Sequence, residues 1–303
     1  MRRCMSCMQE YEEQLSECPH CGYCLEKQEQ QKTDCPDVLP PETILLGRYI
    51  LGRLHKTDGF FNTYITWDAL LEKKVLVKEY FPAVCATRIG QEKELSLPEH
   101  SGINRFEYGR IAFEEESDRL IRNQDLDGIV PAFRCFRERG TTYRVSEFVL
   151  YDTVEDVLSG GEKILIENID HLLIDLCEIV DQMHSRGIFH MDLSLKCIYV
   201  DEEWNGRLTD FGYAKSQLLK LLPEDVSLVS EYMAPEILHG DEAGGSADIF
   251  SLGVVAKKLY QCVEDIPFRK RTRIRKALNQ ASNMNPKKRP VSAEELSEMI
   301  FSY

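Results

Sequence analysis

Short runs of β-branched and aromatic residues, separated by polar turns, open the central part of the chain. They begin near Ile44, and runs of this length and composition are typical of β-strands. A longer segment with an acidic stretch follows, and another β-rich run comes after it. The pattern predicts a helix over Phe106–Arg122 and strands over Arg48–Leu51, Asn62–Trp67, Lys74–Lys78 and Thr141–Phe148.

The chain becomes mostly helical after Tyr151. Apolar residues recur there at helical spacing, which indicates the buried face of a helix rather than a binding surface. These residues are Leu172, Leu176, Ile179, Val180 and Met183. A small β-rich part followed by a larger helical part indicates an α+β protein with a cleft between its halves.

Length and charge exclude several classes of protein. The chain has 303 residues and a net charge of −14, from 37 Lys and Arg against 51 Asp and Glu. A chain with this net negative charge is expected to bind nucleic acid and anionic membranes poorly. No apolar run approaches the roughly 18–20 residues that cross a bilayer, and no apolar stretch follows the basic start as in a secretory signal. We therefore expect a cytoplasmic protein without a membrane span.

Six of the eleven cysteines lie in the first 35 residues, and four of them form two C-x-x-C pairs ten residues apart. The pairs are Cys4 with Cys7 and Cys18 with Cys21. Two such knuckles close a tetrahedral sulfur shell around zinc, and metal binding supplies the folding energy that so short a segment lacks. The spacing predicts a zinc ribbon over residues 1–25, followed by a flexible, polar linker over residues 26–43.

Other interpretations of this N-terminal segment stay open. Cys24 and His20 are close enough in sequence to replace a ligand, and a disordered tail with free thiols would also place cysteines here. A ribbon that binds nucleic acid is disfavoured, because the first 42 residues carry four Lys and Arg against nine Asp and Glu, a net charge of −5. Binding to a phosphate backbone needs the opposite sign.

Short motifs occur in a fixed order along the central part. A strand ending in a lysine precedes an acidic residue on the next helix, and a His-x-Asp motif follows the long helix. Asp-Phe-Gly and Ala-Pro-Glu motifs come after it. The defining residues are Lys78, Glu116, Asp192, Asp210 and Glu236, with Asp248 and Arg289 further along. In this order the sequence resembles the protein kinase family over roughly residues 44–303, and it looks most like bacterial serine/threonine kinase-like proteins.

The resemblance implies a fold and a reaction. The fold is bilobal, with a small β-rich N-lobe over residues 44–149 and a larger helical C-lobe over residues 150–303. The reaction is transfer of the γ-phosphate of ATP to a protein hydroxyl, in which the protein mainly positions ATP and magnesium and balances charge.

Individual roles also follow from the resemblance. Lys78 would hold the α- and β-phosphates and be oriented by Glu116. Asp192 would accept or orient the proton of the substrate hydroxyl, and Asp210 would bind magnesium. Arg289 would pair with Glu236. The nucleotide site would be lined by Lys78, Asp210, Gly59, Leu76, Glu147, Val149 and Tyr199.

The nucleotide site departs from the family pattern in two ways. Kinases cover the phosphates with a glycine-rich loop, but its glycine positions hold Lys56, Asp58 and Phe61 here. The residues above and below the expected adenine, Leu76 and Tyr199, are larger than usual. Overpacking of this kind and a negative charge beside the phosphates predict impaired nucleotide binding.

The metal site departs as well, because Cys197 replaces the asparagine expected five residues after Asp192. A thiol is a poor ligand for magnesium. These changes favour a degenerate kinase, or pseudokinase, that acts in signalling as a binding or scaffold module. Such a protein would bind zinc in its ribbon and would bind ATP and magnesium only poorly. The alternative is an active but atypical serine/threonine kinase, because Lys78, Glu116 and Asp210 are retained together with Asp192.

One basic segment, Arg269–Lys276, interrupts this acidic chain. It predicts docking of an acidic protein partner, or of the chain's own acidic linker. The alternative is a solvated face of a late helix.

Overall fold

The chain folds into two compact units. The computed structural model describes residues 1–24, 37–90, 93–97, 100–161, 164–221, 230–241, 243–263 and 266–302. The first unit comprises Met1–Ile121 and Pro131–Phe148, and the second comprises Arg122–Val130 and Val149–Tyr303. Among the described residues, no helix is both long enough and apolar enough to span a membrane.

The first unit is rich in β-structure. Its elements are β1 (Arg2–Arg3), β2 (Glu10–Tyr11), β3 (Ile44–Leu45), β4 (Tyr49–Thr57), β5 (Phe61–Asp68), β6 (Lys73–Tyr80), β7 (Thr87–Ile89), β8 (Glu94–Ser96), α1 (His100–Arg122), β9 (Ala132–Glu138) and β10 (Thr141–Glu147). Six strands form one antiparallel sheet in the order β3-β4-β5-β6-β10-β9, and β1-β2 and β7-β8 form two small sheets. The four predicted strands are confirmed as β4, β5, β6 and β10, and the predicted helix as α1, which begins six residues earlier.

A buried ionic network joins the central strands of this sheet. Glu79 on β6 accepts hydrogen bonds from the hydroxyls of Tyr64 (2.9 Å) and Tyr143 (2.8 Å), and it pairs with the equally buried Arg88. A carboxylate is tolerated inside a protein only when its oxygens are hydrogen-bonded and its charge is balanced. The two tyrosines and the arginine therefore explain why a fully buried charged residue is tolerated near the end of a core strand.

Residues 37–43, predicted as the end of the flexible linker, pack onto the sheet instead. Val38 and Leu39 are buried in the hydrophobic core formed by β4, β5, β6 and β10. The Asp37 carboxylate accepts a hydrogen bond from the backbone N–H of Arg88 at 2.8 Å. The linker prediction is therefore wrong here, because two apolar residues between prolines are too short a signal to stand out from a polar segment.

Two predicted boundaries also differ from the compact units. Residues 1–24, predicted as a separate ribbon, belong to the first unit together with the sheet. Residues 122–130, predicted as N-lobe, belong to the second unit, where the backbone N–H of Val130 donates to the carbonyl of Leu208. Residues 25–36, the remainder of the predicted linker, lie outside the described residues.

The second unit is mainly helical. Its elements are β11 (Asp152–Thr153), α2 (Val154–Ser159), α3 (Ile166–Ser185), β12 (Ile198–Val200), β13 (Gly206–Leu208), α4 (Tyr213–Leu219), α5 (Pro235–Leu238), α6 (Gly245–Gln261), α7 (Phe268–Ala281) and α8 (Ala293–Phe301). The short strands form a sheet in the order β11-β12-β13. All five apolar residues predicted to face the core from the long helix are buried on α3.

Candidate functional site

The four cysteines of the two C-x-x-C pairs meet at one point. Their sulfur atoms lie within 4.8 Å of one another, with 3.6 Å between Cys4 and Cys21 and 3.7 Å between Cys7 and Cys18. A tetrahedron with metal–sulfur distances of about 2.3 Å has edges of about 3.8 Å, so the spacing fits a metal ion bound by four thiolates. Gly22 turns the chain after the second pair with φ of +67°. Among the described residues, neither Cys24 nor His20 joins this cluster.

The charged residues expected to hold phosphate lie in the first unit. Lys78 on β6 is buried, and its Nζ lies 4.3 Å from the centre of the Phe61 ring. Arg144 on β10 stands directly opposite Lys78 in the sheet. The Arg144 guanidinium donates to the Glu116 carboxylate at 2.6 Å, and both side chains are at most 5% exposed. Glu116 therefore has a buried arginine partner that the kinase pattern does not include.

The turn between β4 and β5 takes the place of the glycine-rich loop. Gly59 lies at its tip with φ of +82°. The Asp58 carboxylate accepts hydrogen bonds from the backbone N–H groups of Phe60 (3.0 Å) and Phe61 (2.9 Å). This Asx-type turn satisfies two amides that would otherwise be available to an anion.

The strand face that carries Leu76 is covered within its own unit. Met8, from the cysteine-bearing segment, forms a buried cluster with Ile65 on β5 and Leu76 on β6, and Phe148 packs against it. Glu147, also expected at the nucleotide site, ends β10 opposite Val75. Met8 therefore packs against Leu76, a contact that no motif indicated.

The His-x-Asp loop of the second unit is held by a buried aspartate on α6. The Asp248 carboxylate accepts hydrogen bonds from the backbone N–H groups of His190 (2.8 Å) and Met191 (2.7 Å). Met191 adopts φ of +66°, a conformation that side chains tolerate only where the surroundings enforce it. The His190 ring lies 2.9 Å from the Thr209 carbonyl, next to the Asp-Phe-Gly motif.

Asp192, expected to act on the substrate, and Cys197, which replaces an expected metal ligand, both have defined partners. The Asp192 carboxylate forms an ion pair with Nζ of Lys215 on α4 at 2.8 Å. The buried Cys197 thiol accepts from the backbone N–H of Ser194 at 2.9 Å and donates to its carbonyl at 3.1 Å. Gly212 packs so closely that a Cβ there would lie 2.4 Å from the Cβ of Asp192. The sequence pattern indicated the position of Cys197 but not the Lys215 contact.

The remaining predicted residues of the second unit have defined neighbours. Val149 and Tyr199 are brought together in a buried cluster with Val130. Asp210 adopts φ of +57° ahead of Phe211. The predicted pair of Arg289 with Glu236 is confirmed, with two hydrogen bonds of 2.5 and 2.8 Å in a buried site.

Comparisons with known proteins agree with this arrangement. The family model described as "Protein kinase domain" matches residues 108–301, which is more than half of the chain. A probable serine/threonine-protein kinase of Dictyostelium discoideum is 31% identical over 163 residues, covering 52% of this chain and 12% of that protein. Protein kinase C zeta type of Oryctolagus cuniculus is 30% identical over 131 residues, covering 42% of this chain and 22% of the relative. The similarity thus spans less than a quarter of either relative.

Two solved structures are similar in fold. The apo form of PpkA-294 has a TM-score of 0.74 and 25% sequence identity, covering 88% of this chain and 100% of that one. The kinase domain of Mycobacterium tuberculosis PknI has a TM-score of 0.64 at 16% identity, covering 87% and 98%. The expected α+β, bilobal kinase fold is therefore confirmed, and the chain belongs to the protein kinase domain family.

Proposed function

We propose that this chain is a degenerate serine/threonine kinase-like protein that binds nucleotide weakly and acts in signalling as a binding or scaffold module. The Asp58 turn carries the proposal. Its carboxylate already occupies the amides of Phe60 and Phe61 at the place where the family presents backbone N–H groups to phosphate. A triphosphate would have to displace this carboxylate and then lie beside its negative charge.

The second unit supports the same conclusion. Cys197 stands where a magnesium ligand is expected, and its thiol is committed to the backbone of Ser194. The Asp192 carboxylate is paired with Lys215, so a substrate hydroxyl would compete with a lysine for the same oxygen. If magnesium and ATP bind, Asp210 and Lys78 are the residues that would hold them, supplying charge balance for phosphoryl transfer.

The proposal includes a metal and a partner. Four thiolates in tetrahedral spacing suit zinc, and reduced thiols are maintained in the cytoplasm, where we place the protein. Helix α7 exposes Arg269, Arg271, Arg275 and Lys276, which fit an acidic protein partner. Poly-glutamate serves as a probe: we expect salt-sensitive binding that is lost in a triple Arg→Glu variant at the three arginines, and binding unchanged by these substitutions would contradict this surface.

Phosphate transfer is the direct test of degeneracy. Full-length protein loaded with zinc is incubated with γ-labelled ATP, magnesium or manganese, and a generic serine/threonine substrate, beside an Asp192→Asn control. We expect no incorporation above the control. Incorporation that disappears in both Asp192→Asn and Asp210→Ala would overturn the proposal.

The alternative, an active but atypical kinase, rests on one specific observation. Asp248 holds the His-x-Asp loop in place with two short hydrogen bonds, so the backbone around Asp192 keeps a framework compatible with catalysis. The same labelling experiment separates the two candidates, because only the active kinase loses signal on substitution of Asp192.

A further inference from the structure

The N-terminal segment is not an independent appendage. Residues 1–24, which we call the cysteine module, are joined to the sheet through the backbone: the N–H of Arg53 on β4 donates to the carbonyl of Met5 at 2.6 Å. The Arg53 guanidinium also donates to Ser6 Oγ at 3.0 Å. Both contacts fall between Cys4 and Cys7, so the loop that carries two of the metal ligands is itself the docking loop.

A second contact of the module is a cation on an aromatic ring. The Arg3 guanidinium lies 3.8 Å from the centre of the Trp67 ring on β5 and donates to the carbonyl of Met8 at 2.6 Å. Arg3 thus links the sheet to the residue that follows the first C-x-x-C pair. The loop that carries Met8 is therefore bonded to Arg53 at Met5 and Ser6, and to Arg3 at the Met8 carbonyl.

The side chain of Met8 completes the docking. It is 2% exposed and lies in one buried cluster with Ile65 and Leu76, which we call the Met8 patch. Leu76 is the residue that kinase-family membership places against the adenine ring. A residue that receives a base must be open in the nucleotide-free protein, whereas Leu76 is only 7% exposed and already in contact with a thioether side chain.

The sheet is adapted to this contact at Gly52. A Cβ at Gly52 would lie 2.3 Å from both the Met5 carbonyl oxygen and the terminal methyl carbon of Met8. Any larger residue at position 52 would push the module away, so a glycine is required there for the docking. Gly52 therefore makes room for a protein segment rather than for a phosphate group.

We propose that the cysteine module is a metal-held occupant of the nucleotide-facing strand surface, and that loss of its metal releases Met8 and opens Leu76 to nucleotide. The inference rests on the proposed function, because it gives the cause of weak nucleotide binding and makes that weakness reversible. A segment with so little core of its own loses its fold when the metal leaves, and with it the geometry that carries Met8. The metal centre then acts as the control element of the nucleotide site.

The first test follows the position of Met8 and does not require nucleotide. Full-length protein, loaded with zinc or stripped with the chelator TPEN, is exposed to a brief hydroxyl-radical pulse, and methionine oxidation is read by peptide mass spectrometry. Met284 is 69% exposed and serves as the internal reference. We expect Met8 to be protected in the zinc form and to react at a rate approaching that of Met284 after chelation.

The second test measures the affinity for Mg-ATP by calorimetric titration. Met8→Ala removes the occupant, and Gly52→Ala repels it from the side of the sheet. Their matched controls are Met284→Ala and Gly244→Ala; among the described residues, no atom lies within 4 Å of a Cβ added at Gly244. We expect chelation and both test variants to tighten binding by 10-fold to 100-fold, about 1.4–2.8 kcal/mol at 1.4 kcal/mol per tenfold, and the controls to match the wild type.

The outcomes separate this inference from the proposed function. Equal Met8 reactivity with and without zinc would overturn the metal-held docking. Weak nucleotide binding in all forms, including Met8→Ala and the chelated protein, would overturn occlusion by Met8 while leaving the degenerate-kinase proposal intact. Micromolar binding by the zinc-loaded wild type would overturn both.

Discussion

The pair formed by Arg144 and Glu116 offers a quantitative test of how the first unit is held together. Arg144→Met removes the charge but keeps a side chain of similar length, which leaves the Glu116 carboxylate buried without this partner. Both side chains are at most 5% exposed and 2.6 Å apart. Breaking a buried ion pair by removing one partner costs about 3–5 kcal/mol, and we expect a loss of unfolding free energy in this range.

The two tryptophans make the measurement specific to one unit. Trp67 lies on β5 in the first unit and Trp204 in the second, so a Trp204→Phe background reports the first unit alone by fluorescence during urea unfolding. This matters because a chain with two compact units need not unfold in one step. Arg134→Met, at an exposed arginine on the neighbouring strand β9, is the matched control and should change stability by less than about 0.5 kcal/mol.

A double-mutant cycle isolates the pair itself. Glu116→Gln, Arg144→Met and the double variant together should give a coupling energy of at least about 2 kcal/mol. A loss below about 1 kcal/mol for Arg144→Met, or a coupling energy near zero, would refute the assignment of Arg144 as a principal partner of Glu116.

Three further predictions concern the metal, the phosphate turn and the pH dependence of stability. Cys18→Ser should reduce the zinc content, measured by mass spectrometry of the metal, from about one ion per chain to nearly none. Cys262→Ser changes an exposed cysteine outside the cluster and should leave the zinc content unchanged. Zinc retained in Cys18→Ser would contradict the four-thiolate site. Asp58→Gly should tighten Mg-ATP binding by about 10-fold. Asp58→Asn keeps the acceptor oxygen without its charge and should tighten binding by less. Equal affinities in the wild type and both variants would show that the Asp58 turn does not limit binding. Burial raises the pKa of Asp68, but hydrogen bonds from the Arg48 guanidinium and two backbone amides outweigh it and hold the pKa below its ordinary value. The stability that Asp68 supplies is therefore present above its unfolded pKa of about 3.9 and is lost as the pH falls through the lower folded pKa. The loss of unfolding free energy in Asp68→Asn, measured by urea unfolding, should be large at pH 7 and smaller near pH 3. A loss independent of pH would contradict this role of the Asp68 carboxylate.

Features encoded in short stretches of sequence were predictable. Local composition predicted the strand over Lys74–Lys78, and the helical spacing of apolar residues predicted the buried face of α3. Both are confirmed. The pair of Arg289 with Glu236 followed from the family pattern, because the fold brings those positions together whatever the intervening sequence. The fourfold cysteine cluster was predictable because C-x-x-C spacing fixes two thiols by a single turn.

Features that depend on tertiary docking were not predictable. Arg144 meets Glu116 only through the pairing of β10 with β6, and the one local signal was a charged residue inside an otherwise buried strand. Met8 directly follows the first C-x-x-C pair, and nothing in the sequence around it indicates that its side chain contacts Leu76. Lys215 reaches Asp192 from a helix that follows the Asp-Phe-Gly motif, a position to which the motifs assign no partner.

The metal-loaded chain is proposed to keep the kinase fold while its own residues close the nucleotide site. Calorimetric titration of Mg-ATP into zinc-loaded, full-length wild-type protein tests it most directly, with the TPEN-treated protein titrated in parallel. We expect a Kd of about 1 mM or weaker with zinc, and a Kd at least 10-fold tighter without it. A Kd in the micromolar range for the zinc-loaded protein would show that the nucleotide site is open.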